Sequence, residues 1–271
     1  PRSHCPSRDP SARLCSPMFP LRDENPTELT PVVTFVFIAI NVLVWVFLQQ
    51  GGGGQGFLSS LCTYGAIPAD ITGSINPGAV IPLGPDATCT VGGLGWMTIL
   101  TSMFMHGSWM HLIGNMWFLW VFGNNIEDSM GHFRFIIFYL VCGGLASVAH
   151  ILTDPSSAVP TVGASGAISG VMGAYLLLYP KVRVHTLIFL VFYIRVLLLP
   201  AWVLLVQWFV IQLISGAGTL GAEGGGVAFW AHIGGFVAGV ALIKLFERPQ
   251  LVEAKRSKVH LSRDELLRLR W

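Results

Sequence analysis

Charge is what this 271-residue sequence has least of: Asp, Glu, Lys and Arg together make up 11% of it, against about 25% in a soluble globular domain. That shortage excludes a water-soluble fold, because hydrophobic residues supply 53% of the chain and uncharged apolar runs of about twenty residues recur along it. The net charge of +2 is too small, and the basic residues are too scattered, for a nucleic-acid binder. Cysteine is scarce as well. The five present form neither a CxxC pair nor a dense disulfide framework. Cys5 and Cys15 lie in the N-terminal tail, Cys142 lies in an apolar run, and only Cys62 and Cys89, in one loop, are placed to pair. Residues 1–30 contain no apolar run that could serve as the core of a signal peptide.

What the chain does contain is six segments apolar enough to cross a bilayer as helices of about 20 residues. They are residues 31–49, 103–123, 133–152, 162–179, 200–216 and 227–246. The expected fold is an all-α membrane protein with its membrane domain at 31–247, between a polar, disordered tail (1–30) and a basic cytoplasmic tail (248–271). Residues 1–17 precede Met18, which could itself open the chain as MFPLRDENPT, and stand outside the fold expectation. A long loop, 51–96, separates the first two spans. It is rich in Gly and Pro, and its FLSSLCTYG and the following WMTIL are apolar enough to rest on the membrane surface; loops this long are commonly functional. The stretch 184–199 is apolar but β-branched, carries Arg195 and runs into Pro200, so it reads as an extended or interfacial connector.

Lys and Arg set the orientation, because the cytoplasmic side retains them. All sixteen lie in the first tail, beside the second-to-third connection, in the fourth-to-fifth connection, or in the last residues of the chain. Loops 50–102, 153–161 and 217–226 have none. Six spans with both termini cytoplasmic therefore put every basic residue on one side.

Counted at a rise of about 1.5 Å per residue, His111, Asn115, Ser165 and His232 share the outer half of the membrane. Polar side chains there are costly and are candidates for function. The plain alternatives are packing ones. Gly163, Gly166, Gly170 and Gly173 around Ser165, and Gly235 and Gly239 after His232, have the small-residue spacing of close helix crossings. Ser165 would then be a spacer and His232 an interhelical hydrogen bond. A nucleophile type and a base type at similar depth on two glycine-rich helices favour chemistry: a hydroxyl becomes a useful nucleophile when a neutral imidazole takes its proton. Asp154 and Glu223 are loop residues and Glu127 and Asp128 sit at the cytoplasmic end of the second span, so the reading is a Ser165–His232 dyad without a carboxylate. His111 and Asn115, at i and i+4, share a helix face and each offers an N–H to a developing oxyanion. The backbone N–H of Ser165, near a helix start, is a further donor. His106, about 140° around the helix from His111, reads as structural, ordering the approach to the second span. His150 is the second choice of base. A zinc site from His106, His111 and His232 is the weaker reading, because HxxxxH lacks the HExxH spacing and an accompanying carboxylate.

The motifs HGSWMHLIGNM, GASGAISG and AHIGGFVAG, in this order across the second, fourth and sixth spans and joined by FGNNIED, resemble those of the rhomboid intramembrane serine proteases over most of residues 18–247. The resemblance implies the six-helix rhomboid architecture with the loop between helices 1 and 2 embedded in the outer leaflet. It implies Ser165 as nucleophile, His232 as base, and an oxyanion hole formed by Asn115, His111 and the backbone around Gly163 and Ser165. It further implies cleavage of single-pass transmembrane proteins in or beside the membrane, where the helix unwinds easily; an intact helix hides its carbonyls in i to i−4 hydrogen bonds. Two positions depart from patterns found in some members: Ser169 stands where a Tyr would stack on the histidine, and Met97 follows Trp96 where an Arg would stand. Partners are thus expected to be substrate helices and lipid, with no nucleic acid, cofactor or metal. The expected setting is a bacterial plasma membrane, the site opening to the outer face. An inactive relative that binds client helices is the alternative, and it would ordinarily lack the Ser or the His. A transporter would show internal repeats or midplane charges, and a scaffold would not need these four polar residues to converge.

Overall fold

The computed structural model describes residues 18–84, 87–190, 193–219, 227–257 and 259–269. Cys5 and Cys15, the question of residues 1–17, and Glu223 with its loop 220–226 lie outside the described residues. The chain opens with strand β1 (Met18–Asp23) and helix α1 (Val32–Leu43), which a π turn extends to Leu48. The loop that follows holds α2 (Gly54–Tyr64), α3 (Pro68–Ile71), β2 (Val80–Gly84) and β3 (Ala87–Thr90). Then come α4 (Thr98–Ser102) and α5 (Trp109–Phe118), which continues through a π turn into α6 (Asn124–Met130). Next are α7 (His132–Thr153), α8 (Ser165–Leu178), β4 (Arg183–Leu190) and β5 (Tyr193–Pro200). The described chain ends with α9 (Ala201–Gly218), α10 (Phe229–Phe246), α11 (Pro249–Arg256) and α12 (Arg263–Leu269). Helices α7, α9 and α10 are each long and apolar enough to cross a membrane, and α1 with its π turn and α8 are shorter apolar helices.

Several elements differ from expectation for local reasons. The second span does not begin at 103. Ser108 caps α5 by accepting the His111 N–H at 3.1 Å, so the helix starts at Trp109 and His106 lies in the turn ahead of it. The angular separation of His106 and His111 on a common helix therefore does not apply. The tail expected to be disordered contributes β1, the edge of an antiparallel sheet ordered β1-β4-β5. The connector 184–199 is the hairpin β4-β5, its β-branched residues suiting extended chain. The basic tail forms α11 and α12. Within the long loop, a disulfide joins Cys62 on α2 to Cys89 on β3, closing a small apolar core with Ile67, Ala69, Ile81 and Val91.

The main core is a helix trio. Gly166, Gly170 and Gly173 of α8 meet Gly235, Phe236 and Gly239 of α10 backbone against backbone, leaving no room for a side chain between them. Ala146 and Cys142 of α7 close the third side. Almost every residue of α8 is buried. At the end of the bundle where FGNNIED lies, Glu127 caps the start of α1, accepting from Val33 N–H (2.9 Å), Thr34 N–H (2.8 Å) and the Thr34 hydroxyl (2.7 Å). Asp128 accepts from Leu29 N–H (2.7 Å) and pairs with Lys255 of α11 at 2.8 Å. Asp23 of β1 accepts from Asn125 Nδ2 and the Tyr175 hydroxyl. Two buried acids of α6 thus hold the start of α1 and the helix α11, and Asp23 ties β1 to α6 and α8.

Candidate active site

Ser165 is the first residue of α8, and the chain reaches it through Gly163, whose φ of +140° suits glycine alone. The approach is held on both sides. Thr161 and Ala66 exchange N–H···O bonds of 2.8 and 2.9 Å, and Gly163 N–H donates to Ser102 O at 2.9 Å. His232 lies in the first turn of α10. The glycine crossing carries the two helices so close that Ser165 Oγ and His232 Nε2 stand 2.8 Å apart. Both belong to the predicted dyad, and the fold brings them together.

The other ring nitrogen of His232, Nδ1, is 2.7 Å from Gln212 Oε1 on α9. An amide oxygen can only accept, so Nδ1 carries the proton and Nε2 is left with a lone pair toward the serine hydroxyl. Trp208, one turn back on α9, lays its ring 5.7 Å from the imidazole at an interplanar angle of 36°. Ser169 makes no contact of this kind, since its hydroxyl donates to Ser165 O at 2.6 Å. Gln212 was not among the sequence candidates. Its signal was an amide in a helix without charged residues, a costly placement that ordinarily implies a partner.

On the opposite side of Ser165 stands α5. Gly107 N–H donates to His111 Nδ1 at 3.3 Å, which leaves the His111 proton on Nε2. That nitrogen borders Gly163 closely: a Cβ there would lie 2.8 Å from it and 3.4 Å from Ser165 Oγ. Gly163 therefore contributes room rather than a donor, because its own N–H is engaged by Ser102. The resemblance implied the backbone around Gly163 and Ser165 for the oxyanion hole, and of the two N–H groups that of Gly163 is engaged by Ser102 O. Asn115 is one turn along α5 from His111, and its buried Nδ2 has no hydrogen-bond partner among the described residues. The N–H groups of Ser165 and Gly166 open α8, where a helix has no internal acceptors for its first donors. The arrangement holds a hydroxyl beside a lone pair on one side and a set of N–H donors on the other, the constellation acyl transfer needs.

The remaining histidines fall elsewhere. His106 is fully buried, its ring nitrogens without a hydrogen-bond partner among the described residues, and its backbone is pinned by two hydrogen bonds of 2.6 and 2.8 Å to the Gln49 side chain. His150 Nε2 is 3.1 Å from Thr161 Oγ1, so its partner is Thr161 and not Ser165. It lines a cavity of about 30 Å³ with Ser102, Ser147, Thr161 and Ser165, about the volume of one water molecule. Among the described residues no three His, Cys, Asp or Glu side chains are grouped to hold a metal ion.

The family model described as the Rhomboid domain matches residues 94–249, which include His111, Asn115, Gly163, Ser165, Gln212 and His232. The chain is 30% identical over 146 residues to the rhomboid protease GluP of Bacillus subtilis, a match covering 54% of this chain and 24% of that protein. It is 31% identical over 170 residues to the chloroplastic Rhomboid-like protein 11 of Arabidopsis thaliana, covering 56% and 53%. A third match, to the mitochondrial Rhomboid protein 1 of Saccharomyces cerevisiae, is 30% identical over 150 residues and covers 53% and 40%. The chain thus spans between about a quarter and about half of the length of these relatives.

Proposed function

The chain belongs to the rhomboid family of integral membrane proteins, and from that membership we propose that it is an intramembrane serine endopeptidase working through Ser165 and His232. The observation that carries this reading is the 2.8 Å separation of Ser165 Oγ and His232 Nε2. A substrate carbonyl carbon is attacked by Ser165 Oγ as His232 Nε2 takes the hydroxyl proton. The oxygen that becomes negative is received by Asn115 Nδ2, His111 Nε2 and the Ser165 N–H. The unpartnered Asn115 Nδ2 among the described residues and the nearness of His111 Nε2 to Gly163 support that role, in which fixed donors stabilise charge as it develops. His232 then passes its proton to the leaving amine nitrogen and the C–N bond breaks, leaving the acyl group on Ser165. Water, giving its proton to Nε2, attacks that ester; the bond between the acyl carbon and Ser165 Oγ breaks, Oγ takes the proton back from Nε2, and the acid leaves.

The substrates in this reading are single-pass membrane proteins whose helices unwind near the scissile bond, since a carbonyl must leave its helical hydrogen bond to reach Ser165. The proposal includes six spans, with α5 through α6 as the second, both termini cytoplasmic, and a bacterial plasma membrane as the setting. The one-sided distribution of Lys and Arg supports that topology. The exposed Trp96, Met97 and Leu100 support a loop that rests in the outer leaflet. The test is labelling of detergent-solubilised wild type, Ser165→Ala and His232→Ala with a fluorophosphonate probe, which reacts with activated serines. Labelling is expected in wild type alone. A folded wild type that does not label would refute the proposal in favour of an inactive, helix-binding relative.

A further inference from the structure

We propose that Gln212 is a positioning residue for the base, fixing the tautomer and the orientation of His232 from a third helix. The inference rests on the protease reading above and extends it to a residue outside the dyad. Gln212 is buried in α9, a helix without charged residues, with its Oε1 2.7 Å from His232 Nδ1. An imidazole has two neutral tautomers, and only the one protonated at Nδ1 can accept a proton at Nε2. In water the two interconvert freely. Here an amide oxygen, which has no proton to give, selects the productive form. Trp208 lies one turn earlier on the same face of α9 and limits rotation of the ring about its Cβ–Cγ bond. Among the described residues no carboxylate is hydrogen-bonded to His232, and the group on Nδ1 is the neutral amide of Gln212. Neutrality has a chemical consequence. The imidazolium formed during the reaction gains only a dipole's stabilisation from Gln212, so the base stays weakly basic and returns its proton readily to the leaving amine.

The test compares rates of fluorophosphonate labelling against pH for wild type, Gln212→Leu and Gln212→Glu, with thermal unfolding in the same detergent as the measure of folding. Gln212→Leu keeps the volume and removes the acceptor; its labelling rate is expected to fall about 10- to 100-fold while the protein remains folded. Gln212→Glu keeps an oxygen at the same place and is expected to label much faster than Gln212→Leu. A carboxylate beside Nδ1 favours the charged ring, so its acid limb should move to higher pH than in wild type. A residue that merely packed α9 would alter the unfolding midpoint and leave the pH profile where it was. A folded Gln212→Leu that labels like wild type over the whole pH range overturns the inference, as does a Gln212→Glu as slow as Gln212→Leu. Should Gln212→Leu aggregate, Gln212→Glu decides alone, and an unmoved acid limb overturns the inference. Absence of wild-type labelling would instead sink the protease reading and this inference with it.

Discussion

Replacing Gly235 by Ala tests whether the glycine crossing sets the distance between nucleophile and base. The added Cβ would stand 2.9 Å from the carbonyl carbon of Gly166, with the carbonyl oxygen nearer still and Ala146 Cβ at 3.3 Å. Both partners are backbone or stub side chain, so nothing can swing aside. Relief of the nearer contact, the carbonyl oxygen, to an ordinary separation requires α8 and α10 to part by at least about 1 Å. Gly166 adjoins Ser165 and Gly235 is within one turn of His232, so most of that parting falls on the Ser165–His232 hydrogen bond, now 2.8 Å. The bond would stretch beyond the range of about 2.6–3.2 Å in which a base takes a proton directly. A misplacement of about 1 Å is worth about 10²-fold in rate, whereas an overpacked core loses about 1–3 kcal/mol. The fluorophosphonate labelling rate of Gly235→Ala should therefore fall about 10²-fold, while the protein unfolds cooperatively only about 2–4 °C lower per kcal/mol lost. Gly144→Ala is the control: it sits in α7 with nothing within 4 Å of the added methyl. It should label like wild type and gain about 0.5–1 kcal/mol. A Gly235→Ala protein labelling within about threefold of wild type, a difference of less than about 0.7 kcal/mol in the barrier, would refute the claim that the crossing sets the catalytic distance.

Other expectations follow from the same geometry. Asn115→Ala should slow peptide cleavage by about 10²–10³-fold without lowering the unfolding midpoint, because its Nδ2 makes no hydrogen bond in the resting site; an unchanged cleavage rate would remove Asn115 from the oxyanion hole. His150→Ala should retain labelling, since His150 contacts Thr161 and not Ser165; loss of labelling there, with retention in His232→Ala, would reverse the assignment of the base. Burial holds the Asp23 carboxyl up at about 6 from an ordinary 3.8, although the Tyr175 hydroxyl and the Lys255 charge pull it down. The folded protein thus keeps a proton that the unfolded chain has released, so this contribution to stability is complete below about pH 3.8 and is lost as pH rises through about 6. Asp23→Asn can still accept from Tyr175 and Asn125 and should flatten stability across that window; thermal midpoints with the same pH slope in both proteins would count against it.

The juxtaposition of Ser165 and His232 was legible because its cause is local. Glycines at i and i+4 mark a close crossing, and a polar residue one position or one turn away must then face the partner helix. The start of α5 was missed because hydropathy treats Met103–Met105 as continuous with Trp109–Phe118, whereas the boundary is set by one hydroxyl, that of Ser108. Gln212 was missed for a different reason. Helix α9 carries both Gln207 and Gln212, and which of them meets His232 depends on the rotation of α9 about its axis, a tertiary property. The strand β1 was hidden similarly: MFPLRD has no alternating pattern, and it is extended because β4 lies beside it. Glu127 and Asp128 were read as marking a span's cytoplasmic end, but their work as acceptors for N–H groups about a hundred residues away in sequence is invisible without the fold.

Ser165 and His232 are separated by 67 positions in the chain, and the second of them arrives on α10, after β4, β5 and α9 have been made. A chain emerging from the ribosome therefore presents its proposed nucleophile long before its proposed base. Through most of its synthesis and insertion, Ser165 is an ordinary hydroxyl beside newly made membrane segments. Only when α10 seats its glycines against α8 does the serine gain its partner, and Arg248 N–H on Ser129 O (2.9 Å) and Lys255 on Asp128 then fasten the following residues to α6. In the proposed protease, reactivity would thereby depend on α10 being seated, because a chain that stops before it has no imidazole beside Ser165.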